Sequence, residues 1–353
     1  MHLPALSEVS VAVIGAGFIA EYHVNGLRSA GGAHIAALVG RRSGPTAERA
    51  GELAIPRSET DYRKVLDDRS IDAVVIATPD DTHERIAIDA LDAGKAVLLQ
   101  KPMALDVMQC RNLIDAAENA PSRLTVSFMH RYFAEVEWLR AQLAANTLGS
   151  IHSIRIRNAT AGANWNEWFY TPGNVSGGVV MQLGVHGIDL CQHLFGPITE
   201  VSAQMMTARP QRELADGRVV RSELEDNVLA TYRFRNGIQG SHEMSYTEVQ
   251  GCDRFRLEVY GELGTAWLRT ERGTAAIYAP SLTRQQQWVA PALSEQPLGQ
   301  AHHRHWLSIV RGVSPADDTA YAGLASIDVA ETIYRAARSG KRSVVETAQE
   351  QVQ

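Results

Sequence analysis

Short apolar runs alternate with amphipathic segments over the first 130 residues of the chain. Strands are predicted at residues 9–14, 34–39, 71–77, 96–100 and 124–129. Helices are predicted between them, at residues 18–30, 61–68, 83–93 and 105–119. Runs this apolar are typical of strands that are buried on both faces of a parallel sheet. Their alternation with helices therefore predicts an α/β domain built on a doubly wound parallel sheet.

The pattern changes after residue 130. A predicted helix at 135–146 precedes residues 152–157, which alternate apolar and polar side chains as a strand with one buried face does. Further elements are predicted as strands at 228–234, 239–245, 254–260 and 265–269, helices at 179–194, 305–310 and 324–338, and a Gln- and Pro-rich surface loop at 281–300. A chain of 353 residues is longer than most single domains, so two domains are predicted, at residues 1–123 and 124–353, with the closing helices expected to pack back on the first domain.

Composition and charge argue against several classes of protein. Hydrophobic residues make up 45% of the chain and charged residues 21%, as in ordinary globular proteins. The net charge of −6 argues against nucleic acid or an anionic membrane surface as a partner. No apolar run reaches the roughly 18 residues that a membrane span needs. The N-terminus lacks the basic and apolar regions of a signal peptide, and none is expected.

Cysteine and histidine usage predicts neither a disulfide framework nor a metal site. The three cysteines are far apart along the chain: Cys110, Cys191 and Cys252. Their odd number and wide spacing favour a reducing compartment, so a cytoplasmic location is expected. His302, His303 and His305 have no carboxylates or cysteines close by in the sequence, which favours a solvated or packed cluster over a metal site.

A glycine-containing loop joins the first predicted strand to the first predicted helix. Residues 15–20 read Gly-Ala-Gly-Phe-Ile-Ala and fit the G-x-G-x-x-G/A spacing of dinucleotide sites. Gly15 permits a tight turn, and Gly17 allows the backbone to approach a pyrophosphate. The following helix offers free N–H groups and the positive end of its dipole to the phosphates. We therefore predict a nucleotide site that includes Gly15, Gly17, Phe18 and Ile19.

The loop after the second strand bears on which nicotinamide cofactor is used. Folds that prefer NAD often place an acid here for the ribose hydroxyls, but this chain has Arg41, Arg42 and Ser43. Arginine binds a phosphate through two parallel charge-assisted hydrogen bonds. We predict NADP as the preferred cofactor, with Arg41 and Arg42 on its 2′-phosphate. NAD stays open as an alternative, because enzymes of dual specificity carry similar loops and an arginine pair can simply be solvated.

Two titratable side chains are candidates for proton transfer. Lys101 directly follows a predicted strand end, where ligands of doubly wound sheets bind. Gln182, His186 and Asp189 are spaced four and three residues apart, so they share one face if the segment is helical. Lysine and histidine can act as general acids or bases, whereas Gln182 can only orient a substrate through its amide. The structural alternatives are a solvated lysine and a histidine packed in the core.

An ordered set of motifs resembles the Gfo/Idh/MocA oxidoreductase family. The set comprises residues 15–20, Ala77-Thr78-Pro79 with His83, Lys101-Pro102, Met129-His130-Arg131, and residues 184–189 (Gly-Val-His-Gly-Ile-Asp). The resemblance implies a Rossmann domain followed by an α/β domain with a large, mostly antiparallel open sheet. It also implies hydride transfer between NAD(P) and a sugar, keto-sugar, cyclitol or related polyol. A homodimer or homotetramer is implied as well, because that sheet commonly forms an interface in the family.

The resemblance also implies roles for individual residues. Lys101 and His186 would handle the proton, and a pH dependence near 6–7 is expected if the imidazole does so. The residues implied at the cofactor, beyond those of the glycine and arginine loops, are Ala77, Thr78, Pro79, His83, Gln100 and Lys101. The residues implied at the substrate are Lys101, Gln182 and His186. Arg131 is a further candidate because it ends a strand that faces the same cleft. Trp165 is another, because its aromatic and polar loop suits a sugar face; the alternative for Trp165 is packing at a domain interface.

Two positions depart from the family pattern and leave alternatives open. The family usually has Glu-Lys-Pro where this chain has Gln100-Lys101-Pro102, and often has aspartate at the position of Gln182. These two glutamines favour a non-catalytic cofactor-binding regulator or assembly subunit. Lys101 and His186 are both present and favour an enzyme. A third hypothesis is an enzyme that holds NAD tightly and causes no net redox change.

Overall fold

A computed structural model of the chain describes residues 8–164, 166–249, 253–270, 275–284 and 286–347. Two units can be distinguished in it. The first contains the chain up to Tyr132 together with Gln296–Gly323, and the second contains Phe133–Glu295 and the chain from Leu324 onward. The units therefore differ from the predicted division at residue 123, because a late segment of the chain returns to the first unit.

The first unit contains a six-stranded sheet. Its strands, numbered in chain order, are β1 (Val9–Ile14), β2 (Ala33–Val39), β3 (Ser58–Glu59), β4 (Ala73–Ile76), β5 (Ala96–Gln100) and β6 (Leu124–Ser127). They are arranged in the order β3-β2-β1-β4-β5-β6, and every pairing is parallel. The predicted doubly wound sheet is thus confirmed, with the strand order reversing between β1 and β4. β6 belongs to this sheet although the predicted division assigned it to the second domain.

Ten α-helices lie within the described part of the chain. They are α1 (Phe18–Ala30), α2 (Ser43–Glu52), α3 (Arg63–Leu66), α4 (His83–Asp92), α5 (Val107–Asn119), α6 (Ala134–Ala144), α7 (Val185–Phe195), α8 (Pro280–Thr283), α9 (Gln300–Val310) and α10 (Thr319–Ser339). In the first unit, Trp306 and Leu307 of α9 are buried in the same apolar core as Val11 of β1 and Leu27 of α1. No helix in the described ranges is both long enough and apolar enough to span a bilayer.

The second unit contains an eight-stranded sheet and a small two-stranded one. The strands are β7 (Ile151–Ala159), β8 (Ile198–Met206), β9 (Gln211–Glu213), β10 (Val219–Arg221), β11 (Asn227–Phe234), β12 (Gln239–Ser245), β13 (Phe255–Gly261), β14 (Thr265–Thr270), β15 (Ala275–Tyr278) and β16 (Ser343–Val344). The large sheet has the order β15-β14-β13-β7-β12-β11-β8-β16, and β9 pairs with β10. Only the β7–β12 pairing is parallel within this large sheet as described, so the expected mostly antiparallel open sheet is confirmed.

The large sheet has one covered and one open face, as its side-chain pattern requires. Along β11, Val228, Ala230 and Tyr232 are buried, whereas Leu229 and Thr231 between them are exposed. Successive side chains of a strand point to opposite faces, so the first three lie on the covered face and the other two on the open face.

Several elements differ from the prediction. α3 covers four residues rather than 61–68, because the side chain of Asp68 accepts the N–H of Ser70 and the chain turns there. The segment predicted as one helix over 179–194 starts with a π-helical turn, Val180–Gly184, before α7. The elements without a prediction were α2, α8, β3, β8, β9, β10, β15 and β16. α8 lies at the start of the segment predicted as a surface loop, α2 was hidden by its two glycines and a proline, and β8 by its weak alternation.

Candidate cofactor and substrate residues

The loop after β1 lies directly against the loop after β4. Gly15 has φ +114°, and a Cβ atom built on it would lie 2.3 Å from the carbonyl oxygen of Ala77. No side chain fits at Gly15, since both its backbone conformation and this contact require glycine. The close approach places Ala77, Thr78 and Pro79 beside the glycine loop at the carboxyl edge of the sheet, where ligands of such sheets bind.

Gly17 is in a different situation from Gly15. Its backbone is extended (φ −79°, ψ −172°), and a Cβ atom built on it would have nothing within 4 Å. Gly17 is also the N-cap of α1, and its end of the helix has no side-chain cap. The first N–H groups of a helix have no acceptor within the helix. The open space above Gly17 and the uncapped helix end together fit the pyrophosphate of a dinucleotide.

Phe18 and Ile19 come directly after Gly17 and are the first two residues of α1. Phe18 is the first residue of α1, and its side chain is 73% exposed, while Ile19 is half-buried. A ring this exposed contributes little to the core. Both residues belong to the first turn of α1, so their backbone N–H groups are among those left for a ligand.

The loop after β2 carries two exposed arginines, Arg41 and Arg42. Arg41 and Arg42 are both exposed, and neither has a carboxylate partner among the residues that the structure describes. The hydroxyl of Thr46 donates to the carbonyl oxygen of Arg42 at 2.6 Å and so holds the loop against the start of α2. Gly40 allows this approach, because a Cβ there would lie 2.3 Å from Oγ1 of Thr46. Two free guanidinium groups on a braced loop can bind an anion.

Lys101 follows β5 at the same edge of the sheet. Its side chain is half-buried, and its backbone N–H donates to Oε1 of Gln100 at 2.9 Å. Gln100 is itself buried at the end of the strand. Gln100, at the position where the resemblance implies a glutamate, therefore braces the backbone of the lysine through its amide oxygen, a contact that a carboxylate oxygen could also make.

His83 links the loops that follow β4 and β5. Its Nδ1 lies 2.9 Å from the carbonyl oxygen of Pro102, and its Nε2 lies 2.9 Å from the carbonyl oxygen of Thr78. Burial lowers the pKa of His83, although Asp80 and these backbone carbonyls oppose the shift. The ring is almost completely buried, so its clearest effect is to hold the two loops together.

Arg131 lies in a short 3₁₀ turn that follows β6. Its Nη1 lies 2.8 Å from Oδ1 of Asp318, and its guanidinium lies over the ring of Phe128 at 5.5 Å from the centroid. The arginine is buried, whereas the carboxylate of Asp318 is largely exposed. Sequence reasoning missed Asp318, because nothing local signals an ion pair between residues 187 positions apart.

The helix that carries His186 lies flat on the covered face of the large sheet. A Cβ built on Gly184 would lie 2.4 Å from Sδ of Met244, and one on Gly187 would lie 2.3 Å from Oδ1 of Asn158. Met244 belongs to β12 and Asn158 to β7. The two glycines on either side of Val185 and His186 therefore set the distance between α7 and the strands beneath it. His186 is buried, with 4% of its surface exposed.

A chain of buried polar groups lies under α7. Nε2 of His242 lies 2.7 Å from Oδ1 of Asn158, and Nδ1 lies 2.9 Å from the hydroxyl of Tyr232. Burial lowers the pKa of His242 to about 3, so the ring is neutral at physiological pH. The neutral ring donates from Nε2 to Asn158 and accepts at Nδ1 from Tyr232. This network supports the helix at the turn next to His186.

Gln182, His186 and Asp189 are all buried, but they do not share one regular helix. Gln182 lies in the π-helical turn, whereas His186 and Asp189 lie in α7. The α-helical spacing argument therefore applies only to the last two residues. Trp165 lies outside the described residues. Over the ranges the structure describes, no group of three or more His, Cys, Asp and Glu side chains is arranged to hold a metal ion.

Two family profiles match the chain. The profile described as oxidoreductase family, NAD-binding Rossmann fold matches residues 9–128, and the profile described as GFO/IDH/MocA C-terminal domain matches residues 136–267. Together they cover the glycine loop, Lys101 and the helix with His186.

Individual relatives match three quarters or more of the chain. The protein named inositol 2-dehydrogenase 2 from Saccharopolyspora erythraea is 28% identical over 349 residues, which are 96% of each chain. The scyllo-inositol 2-dehydrogenase (NAD(+)) of Bacillus subtilis is 28% identical over 273 residues, or 75% of each chain. Levoglucosan dehydrogenase, solved in complex with NADH and levoglucosan, has the same fold, with a TM-score of 0.87 at 21% identity over 96% of this chain and 99% of that one. The chain belongs to the Gfo/Idh/MocA family of oxidoreductases, with an NAD-binding Rossmann domain as its N-terminal part.

Proposed function

We propose that this protein is an NADP-preferring dehydrogenase or reductase of a cyclitol, sugar, keto-sugar or related polyol. The observation that carries the proposal is the open cradle at Gly17 beside the uncapped start of α1, on the same sheet edge as Lys101. The family membership and the names of the relatives, which are inositol and levoglucosan dehydrogenases, support the class of substrate.

The cofactor would be held by backbone groups at one end and by arginines at the other. The residues that would contact its phosphates and nicotinamide are Gly15, Gly17, Phe18, Ile19, Ala77, Thr78, Pro79, His83, Gln100 and Lys101. Arg41 and Arg42 would bind the 2′-phosphate, which explains why their charges have no carboxylate partner in the described part of the chain. When bound, the nicotinamide supplies or accepts the hydride. NAD is the alternative cofactor.

The proton would be handled by Lys101 and His186. Lys101 donates a hydrogen bond to the reacting oxygen from its half-buried position at the strand end. His186 accepts or donates the proton, as an imidazole can near neutral pH. Gln182 has no titratable group and orients a substrate hydroxyl through its amide. Arg131 and Trp165 are proposed to contact the substrate.

Removing either titratable group tests the catalytic proposal. Lys101→Met and His186→Gln are expected to lower kcat with myo-inositol or a related polyol by about 10²–10⁴-fold, the usual contribution of a general acid or base. The dissociation constant for the dinucleotide, measured by nicotinamide fluorescence, should stay unchanged in His186→Gln, because His186 is not among the residues proposed to contact the cofactor. Lys64→Met removes an exposed lysine and serves as the control. Full activity in both variants would disprove the assignment of proton transfer to these residues.

Cofactor preference is tested separately by titration with NADPH and NADH. The wild type should bind NADPH at least about tenfold more tightly, and Arg41→Ala should lose that difference, since a charged hydrogen bond contributes about 1.5–3 kcal/mol. Arg69→Ala, at another exposed arginine, should leave both affinities unchanged. Equal affinities in the wild type would make NAD the cofactor and polyol oxidation the first reaction to assay.

A second candidate function is a cofactor-binding regulator or assembly subunit without catalysis. The replacement of two family carboxylates by Gln100 and Gln182 favours it, because each change removes a titratable group. Tight dinucleotide binding without turnover on a panel of polyols and keto-sugars would support this function. NAD that stays bound through purification would instead support a reaction without net redox change.

We also propose that the protein assembles as a homodimer or homotetramer in the cytoplasm. The open face of the large sheet carries an exposed apolar side chain, Leu229, among charged residues such as Arg155 and Glu258. A self-complementary face of this mixed character suits pairing about a two-fold axis.

A further inference from the structure

One residue caps the start of the helical segment that carries Gln182 and His186. Three consecutive amides donate to Glu225: Gly178 to Oε2 at 3.1 Å, Val179 to the main-chain oxygen at 3.0 Å, and Val180 to Oε1 at 3.1 Å. The next described bond of the segment runs from the N–H of Gln182 to the carbonyl oxygen of Gly178 at 3.0 Å. Glu225 thus supplies, from a loop before β11, the acceptors that a helix start lacks.

Tyr334 of α10 holds the carboxylate of Glu225 in place. Its hydroxyl donates to Oε1 at 2.8 Å, and Glu225 is 9% exposed. Burial raises the pKa of Glu225, while the bonds from Tyr334 and from the amides of Val180 and Gly178 oppose that rise. Both carboxylate oxygens accept bonds, so the ionised form is the one that suits all of these donors.

The glycine pair before the π-helical turn is shaped to this arrangement. A Cβ on Gly177 would lie 2.2 Å from the hydroxyl of Tyr334, and one on Gly178 would lie 2.0 Å from the main-chain oxygen of Glu225. Neither glycine has a positive φ, so the close contact alone explains why each is glycine. The two consecutive glycines at residues 177–178 could be seen in the sequence, but Glu225, which the amide of Gly178 binds, lies 47 residues later.

The backbone of Glu225 is anchored by its neighbour. Asp226 forms a buried ion pair with Arg212 at 2.8 Å and accepts the N–H groups of Ala208 and Arg209. A carboxylate so extensively bonded keeps the adjoining peptide fixed. Gly184 and Gly187 set how closely α7 lies to the sheet, but contacts of that kind do not fix its position along its own axis.

We propose that Glu225, braced by Tyr334, is a positioning residue that sets where Gln182 and His186 stand along the helix axis. The roles of Gln182 and His186 in this statement rest on the proposed function. The carboxylate holds the amides of Gly178 and Val180, the main-chain oxygen of Glu225 holds the amide of Val179, and the helix that follows starts from that point. Loss of one acceptor loosens the π-helical turn and shifts the two side chains that the turn and α7 carry.

Two variants and one control separate this role from ordinary stability. Glu225→Gln replaces one carboxylate oxygen with an NH2 group, so one backbone N–H loses its acceptor. Tyr334→Phe removes the bracing hydroxyl but keeps the ring. Glu223→Gln alters an exposed glutamate of the same loop and is the matched control. Hydrogen exchange of the amides of residues 178–182 should rise at least about tenfold in Glu225→Gln, less in Tyr334→Phe, and not in the control.

Kinetic measurements then show whether the hydrogen bonds to Glu225 position Gln182 and His186. We expect kcat with the polyol to fall about 10–100-fold in Glu225→Gln, as small displacements of catalytic groups do, with the dinucleotide KM unchanged. Glu225→Asp, which keeps the charge, should recover part of kcat. Unchanged amide exchange in both variants overturns the proposal. Faster exchange with unaltered kcat and polyol KM also overturns it, because the cap would then be structural only.

The proposal can be tested even if the proposed function fails. If the wild type transfers no hydride to any polyol, the proposed function is wrong, and the ring signals of His186 in an NMR spectrum become the measurement. A changed His186 signal in Glu225→Gln and Tyr334→Phe, with none in Glu223→Gln, supports positioning. An unchanged signal in all three overturns it. Tyr334→Phe supplies these measurements if Glu225→Gln does not fold.

Discussion

Gly15 and Gly17 are two residues apart and are glycine for different reasons. At Gly15 the requirement comes from the protein itself, because the backbone conformation and the carbonyl of Ala77 leave no room for a side chain. At Gly17 the protein would accept a methyl group, since the backbone is extended and nothing lies within 4 Å. Nothing in the described part of the protein therefore requires glycine at this second position, whereas the proposed pyrophosphate would.

The two glycines predict opposite outcomes of substitution by alanine. Gly17→Ala should change the free energy of unfolding by less than about 0.5 kcal/mol, as at a surface site, but weaken dinucleotide binding at least about tenfold. Gly15→Ala should destabilise the protein by about 1–3 kcal/mol or more, because it is strained and buried against Ala77. Chemical denaturation and nicotinamide fluorescence measure the two effects.

Gly51→Ala is the control for both substitutions. Gly51 lies in α2 with open space around its Cβ position, so alanine there should leave binding unchanged and raise helix stability slightly. Unaltered binding in Gly17→Ala would contradict a pyrophosphate at this position.

For individual residues, the sequence could predict the positions that depend only on residues close along the chain. The spacing of Gly15 and Gly17 and the position of Lys101 after a strand were sufficient to predict where these residues lie in the fold, because strand and helix ends are local features. The ion pair of Arg131 with Asp318 and the cap by Glu225 join residues far apart, and no local pattern marks them. The burial of His83 between two loops was likewise hidden, since only the fold brings Pro102 and Thr78 to its ring.

At the scale of elements, α1 and α9 are joined through histidines. Nδ1 of His23 lies 2.9 Å from Nε2 of His303, whose Nδ1 in turn lies 2.7 Å from the carbonyl oxygen of Gly299. His302 lies 3.0 Å from the hydroxyl of Tyr22, and Tyr132 stacks on it at 5.0 Å. His302 and His303 of the predicted histidine cluster are thus packed against α1, the helix that follows the glycine loop.

The cluster predicts that the protein loses stability in mild acid. Burial lowers the pKa of His303 to about 4, and lowers those of His23 and His302 well below the usual value. Unfolded histidines have a pKa near ~6.5, so between these values the unfolded chain binds more protons. Stability from these groups is therefore complete above about pH 6.5 and falls as the pH is lowered toward 4.

Thermal unfolding between pH 7.5 and 4.5 measures this effect. The fall in Tm with acid should be smaller in His303→Gln than in the wild type, because one buried titrating group is removed. His152→Gln, at an exposed histidine of β7, should keep the wild-type slope. Parallel curves for all three proteins would contradict the assignment of the acid loss to the cluster.

Elements were predictable where packing and local pattern agree. β1, β5, α1 and β12 match their predicted bounds, since each has an apolar run or periodicity and a clear end. β8 depends on its pairing with β11, and the π-helical turn depends on contacts outside the segment, so the local pattern could not predict either.

At the scale of the whole molecule, the open face of the large sheet predicts the oligomeric state. Leu229→Glu places a charge on an apolar side chain that is 59% exposed on this face, and should lower the molar mass measured by sedimentation equilibrium. Val313→Glu changes another exposed apolar residue, in the first unit, and should leave the mass unchanged. A wild type that sediments as a monomer, or a Leu229→Glu variant with the wild-type mass, would contradict assembly through the sheet.

The return of α9 to the first unit has a consequence for synthesis on the ribosome. The core around Val11 and Leu27 also contains Trp306 and Leu307, and residues 133–295 of the second unit are made in between. At 5–20 residues per second this interval lasts roughly 8–30 s. During that time the nascent chain exposes the apolar surface that α9 later covers, so the first unit cannot finish folding until most of the second unit has been synthesised.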